Sequence, residues 1–94
     1  MTYNVLVTKE AQNDLKKLLQ SEQQAYKKAL KLIAELYEHP RTGTGKPEQL
    51  TGNRSGQWSR RISNKHRLVY EIHDTEVVFL YLPPMVIMAT NNHY

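Results

Sequence analysis

The sequence predicts an α+β fold in which a short N-terminal strand and two amphipathic helices pack with an antiparallel sheet. Three observations point to it. Residues 9–37 carry apolar side chains at helical spacing in two runs; residues 57–82 hold three strand-like runs broken by short polar turns; and a segment holding all four glycines, residues 40–56, separates the two halves. Two amphipathic helices cannot bury their own stripes on each other and also cover the apolar strands, so the helices must lie on the sheet. The 94 residues leave room for one domain, 1–94, with one modest core.

Residues 3–7, YNVLV, are β-branched and aromatic enough for the first strand, and Thr8 follows as a helix N-cap. Ala11, Leu15, Leu18 and Leu19 then recur at helical spacing to about Gln20. Ser21 and Gln24 stand three apart and predict a capping box that opens a second helix. That helix presents Ala25, Tyr26, Ala29, Leu30, Ile33, Leu36 and Tyr37 on one face and Lys27, Lys28, Lys31 and Glu35 on the other, and stops before His39-Pro40. Residues 40–56 read as one long irregular connection, a length that in a compact domain is usually functional or disordered. The strands that follow, 57–63, 66–73 and 77–82, are joined at Asn64-Lys65 and Asp74-Thr75 and predict an antiparallel meander. Pro83-Pro84 breaks the apolar run, and residues 85–89 suit a further strand.

Composition excludes several chemistries. Without cysteine there is no disulfide scaffold, thiolate nucleophile or thiolate metal site. The four histidines, His39, His66, His73 and His93, lack metal-ligand spacing, so neither a metal nor any other cofactor is expected. MTYNVLVTKE meets a charge within ten residues, which predicts no signal peptide, no membrane association and a cytoplasmic protein.

The charge is unevenly placed. Residues 1–40 hold six lysines against five acids, whereas Arg41 to Arg67 hold seven basic residues against the single acid Glu48. Such a patch suits a polyanion or an acidic protein partner, or is simply a solvated basic face. Strand alternation divides it: Leu68, Tyr70 and Ile72 share one face, Arg67, Val69, Glu71 and His73 the other, and in the preceding strand Trp58, Arg60 and Ile62 lie opposite Ser59, Arg61 and Ser63. If Trp58 and Ile62 enter the core, Arg61 emerges on the uncovered side and a hairpin sets Arg67 beside it. Arg60 interrupts the apolar face and is expected to snorkel, stem packed and head wet. A carboxylate, two arginines and a histidine make up a metal-free set of groups for phosphodiester cleavage.

The stretch GTGKPEQLTGNRSGQWSRRISNKHRLVYEI, together with a C-terminal HY, closely resembles the YoeB/Txe toxins of the RelE superfamily. The resemblance implies a RelE-like toxin that cleaves mRNA in the ribosomal decoding site, is neutralised by a cognate antitoxin (acidic, partly disordered, YefM/Phd-like) and forms a homodimer. By motif, Glu48 of KPE resembles the general base, Arg67 of HRLVY the phosphate-stabilising arginine, His93 the general acid and Tyr94 the aromatic that orients substrate. Arg61, Arg60 and Lys46 are the implied substrate contacts. The 2′-hydroxyl would attack the adjacent phosphorus, leaving a 2′,3′-cyclic phosphate, a route closed to DNA.

Two departures stand out. Thr51 occupies a position where the family usually has lysine, and the segment from Val77 to Tyr94 is several residues longer than the family's, with Pro83-Pro84 inside it. Either the added residues bulge and return the tail to its place, or His93 sits away from Glu48 and Arg67. The second outcome describes a catalytically impaired homologue that binds antitoxin and RNA. A gyrase-poisoning relative shares the scaffold but is not expected to keep KPE and the terminal HY together.

Overall fold

The computed structural model describes residues 2–82. The elements run β1 (Asn4–Val7), α1 (Lys9–Ser21), α2 (Gln23–Leu36), β2 (Glu48–Gln49), a 3-10 turn (Gly52–Arg54), β3 (Gln57–Arg61), β4 (Arg67–His73) and β5 (Glu76–Tyr81). The expected strand at 85–89 lies outside the described residues, as do His93 and Tyr94.

The five strands form one sheet in the order β1-β5-β4-β3-β2. The meander β3-β4-β5 is antiparallel as its short turns require, and Asp74 takes the left-handed conformation, φ 48°, that tightens the β4–β5 turn. The sheet as a whole is mixed, because β1 pairs parallel with β5. A parallel neighbour needs a long crossover, and here the chain passes through both helices and then β2, β3 and β4 before returning beside β1 as β5. The register Val5 with Val77 and Val7 with Phe79 keeps apolar side chains together on the helix side of this edge.

Thr8 caps α1 as expected: its backbone is extended and its hydroxyl accepts from the Ala11 N–H at 3.1 Å, a contact worth about 1 kcal/mol. The capping box at Ser21 does not form. Ser21 is the last residue of α1 and its hydroxyl donates to the Lys17 carbonyl at 2.9 Å, so the break falls at Glu22, which makes no side-chain cap. The Glu22 carboxylate instead meets His66 Nε2 at 2.8 Å and ties the helix junction to the β3–β4 connection. That hydrogen bond holds the Glu22 carboxyl below its ordinary range.

The helices cover one face of the sheet. Ala11 and Leu18 of α1 and Ala25, Ala29, Leu32 and Leu36 of α2 pack on Leu68, Tyr70, Val77 and Phe79, with Ile62 and Leu82 completing the cluster. The face of α2 is only slightly turned from expectation: Ala25, Ala29 and Leu36 are buried and Tyr26 and Ile33 pack against the core, but Leu32 is also fully buried while Leu30 and Tyr37 are each 44% exposed. Two apolar stripes run along this helix, 25/29/32/36 and 26/30/33/37, and the sheet selects the first. Leu19 of α1, also expected in the stripe, is largely exposed. Among the described residues no helix is long and apolar enough to cross a membrane.

Candidate active site on the open sheet face

The face of the sheet turned away from the helices collects the basic side chains, because alternation sends Arg61 and Arg67 to the side opposite Arg60 and Leu68. The register pairs Arg61 with Arg67 directly across β3 and β4. Two like charges opposed in this way repel each other, and an anion lying between them removes the repulsion.

Glu48 is not a loop residue. The PEQ of the glycine- and proline-rich segment forms the two-residue edge strand β2, and Glu48 pairs with Ser59. Its Oε1 accepts from Arg67 Nη1 at 3.1 Å, and the same nitrogen lies 3.1 Å from Ser59 Oγ. The Arg67 side chain is 15% exposed and that of Glu48 59% exposed, so the arginine is held by the sheet while the carboxylate stands at its rim. Strand alternation had placed Ser59 on the face of Arg61 without giving it a role; the structure sets it opposite Glu48 and within reach of Arg67.

Gly45, Lys46, Glu48, Arg61 and Arg67 line a pocket of about 110 Å³. Four expected site residues therefore converge: Lys46, Glu48, Arg61 and Arg67. The 3-10 turn sends Arg54 to the far side of the same face, where it donates to the Tyr81 hydroxyl and lies 5.8 Å from the centre of that ring. Among the described residues no group of three or more acidic, histidine or cysteine side chains is arranged to hold a metal ion.

Arg60 departs from expectation. Its head is not wet: the residue is 0% exposed and lies on the helix side of β3. All five of its N–H donors find acceptors. Nε donates to the Tyr70 hydroxyl at 3.1 Å, Nη1 to Glu35 Oε1 at 2.9 Å and to the Thr44 carbonyl at 3.4 Å, and Nη2 to the Thr42 carbonyl at 2.7 Å and to that of His39. Tyr70 in turn donates to the Pro40 carbonyl at 2.7 Å. Burial pushes the Tyr70 phenol above its ordinary value, against the opposing pull of Arg60. Burial also pushes Glu35 up, but hydrogen bonds from Thr44 and the charge of Arg60 outweigh it and hold the carboxyl below its ordinary range. Facing the core, Arg60 is out of reach of an anion in the pocket.

Residues 7–83 match the family model of YoeB-like toxins of bacterial type II toxin-antitoxin systems. Toxin YoeB of Mycobacterium bovis is 45% identical over 62 residues, covering 66% of this chain and 73% of its own. Among solved structures, the YoeB dimer from Staphylococcus aureus superposes with a TM-score of 0.74 at 31% identity, covering 88% of this chain and 97% of that one. The YoeB-YefM complex from the same organism aligns with a TM-score of 0.73 over the same shares.

Proposed function

The chain belongs to the YoeB-like toxins of type II toxin-antitoxin systems, and from that membership we propose that it is a ribosome-dependent endoribonuclease that cuts mRNA by 2′-hydroxyl attack on the adjacent phosphodiester. The observation that carries the reading is the pocket in which one carboxylate and three cations, Glu48, Lys46, Arg61 and Arg67, converge.

In this mechanism the scissile phosphate lies between Arg61 and Arg67 and replaces Glu48 as the partner of Arg67. Arg67, braced by Ser59, is set to meet the charge that builds on the phosphoryl oxygens as the ribose oxygen attacks; fixed donors of this kind are the largest single contribution in most such sites. Released from the ion pair, the Glu48 carboxylate orients the 2′-hydroxyl and takes its proton. Lys46 and Arg61 hold the flanking backbone. His93 is assigned the protonation of the departing 5′-oxygen and Tyr94 the stacking on substrate; both assignments rest on resemblance, since these residues lie outside the described part of the chain.

The same basic face suits an acidic antitoxin segment, which would block substrate by occupying the cations that bind it. A YefM-type partner and a homodimer are proposed from the assemblies that the Staphylococcus aureus relatives form.

The test is a translating extract supplied with the purified chain. Codon-phased cuts that fall about 10²–10³-fold with Arg67→Ala are expected. Salt-sensitive RNA binding with full-length message recovered would show an impaired homologue instead.

A further inference from the structure

We propose that Arg60 and Glu35 form a positioning clamp that seats residues 39–46 against β3 and so places Lys46 and Glu48 opposite Arg61 and Arg67. The proposal deepens the endoribonuclease reading and rests on it for its catalytic consequence.

A fully buried guanidinium is costly to desolvate, and an apolar side chain of similar size fills a core at least as favourably. What Arg60 does that an apolar residue cannot is visible in its acceptors. Three are backbone carbonyls, of His39, Thr42 and Thr44, in a stretch with no helix or strand of its own. Glu35 closes the ring, because its Oε1 accepts both from Arg60 Nη1 and from the Thr44 N–H, each at 2.9 Å.

The seat is tight. A Cβ at Gly43 would stand 2.6 Å from Glu35 Oε1, and one at Gly45 would stand 2.7 Å from the Arg61 carbonyl oxygen. Gly45 also accepts from the Arg61 N–H at 2.7 Å, which fastens the loop to β3 one residue before Lys46. Glycine at both positions permits this approach, with φ of 112° and 86°. The pocket begins where the clamp ends, at Gly45 and Lys46. Arg60 and Glu35 therefore act through the loop without touching substrate.

The experiment compares Glu35→Ala and Glu35→Gln with the unsubstituted full chain. In Glu35→Ala, amide exchange at Thr44 and Arg61 is expected to rise about 10–100-fold while Tyr70 and Phe79 keep their rates. Inorganic phosphate, titrated against the Arg67 side-chain resonance, binds about 10-fold more weakly, and kcat for mRNA cleavage falls about 10–100-fold with KM little changed. Glu35→Gln keeps an oxygen where both donors need it and restores loop protection and cleavage to within a few-fold.

Unchanged exchange at Thr44 and Arg61 in the alanine variant overturns the clamp, as does a rise shared equally by the whole sheet, or failure of glutamine to rescue. If the unsubstituted chain leaves message intact, the endoribonuclease reading fails separately, and exchange and phosphate binding still decide the clamp.

Discussion

On the helix side of β3 the Arg60 guanidinium is wholly buried with every donor occupied; one residue on, Arg61 stands exposed across from Arg67. The two arginines are chain neighbours with identical side chains, and the pleat alone sends them to opposite surroundings. The buried one is surrounded by partners the fold already provides. The exposed one stands across from another cation, Arg67, on the face where Glu48 and Lys46 line the same pocket. A sheet with both faces in use can thus separate structural charge from charge held ready for a ligand, without lengthening the chain.

The sharpest way to break this contrast is Arg60→Met. It removes the buried cation, strands the Glu35 carboxylate and should lower the unfolding free energy by about 3 kcal/mol or more in urea titration. If the loss stays within about 0.5 kcal/mol, as for ordinary surface substitutions, the two arginines are not different in kind.

Gly45→Ala attacks the junction between the two faces. A residue with a side chain would have to keep φ near 86° with its Cβ against the Arg61 carbonyl, so a loss of about 1–3 kcal/mol and weaker phosphate binding are expected together. Thermal melts and phosphate titration read the two effects.

Acid pH should weaken the buried side selectively. The Glu35 carboxyl lies below its ordinary range in the folded chain, so its contribution is present above the unfolded value and is lost as pH falls through the folded one. The urea midpoint of the unsubstituted chain should therefore drop across that window more than that of Glu35→Gln. Parallel curves for the two would contradict the assignment.

The smallest effect is expected from Arg61→Gln, which removes the like-charge opposition. Stability should rise by a few tenths of a kcal/mol, about the size of a cross-strand pair, while phosphate binding weakens. A variant that loses stability as well would show that Arg61 supports the sheet rather than waiting for a ligand.

Much of the open face was legible in the sequence. Alternation over QWSRR and RLVYEIH placed Arg61 and Arg67 together because the side-chain period of a strand is fixed by backbone geometry. The motif around Glu48 marked it as a candidate before its position was known; the two-residue strand that carries it was hidden among glycines and Pro47. Arg60 was placed on the correct face but given a wet head, since an unpaired cation belongs in water. The partner that changes this, Glu35, is 25 residues away on what reads as the polar side of a helix. One signal was available: a cation between Trp58 and Ile62 on an apolar face calls for an acid, and Glu35 borders the buried stripe through Leu32 and Leu36.

By itself the sequence determined β1, the two helices, the antiparallel meander and the sidedness of its strands, all properties written in spacings of two to four residues. Tertiary structure alone decided which of two apolar stripes on α2 turns inward, that β1 pairs parallel with β5, that Ser21 ends a helix where a cap was expected, and that Arg60 is a core residue. Apart from Ser21, whose hydroxyl turns back to the Lys17 carbonyl, each of those outcomes depends on partners far away in the chain. Burial energy follows from what two surfaces do to each other on meeting, and no local pattern contains the second surface.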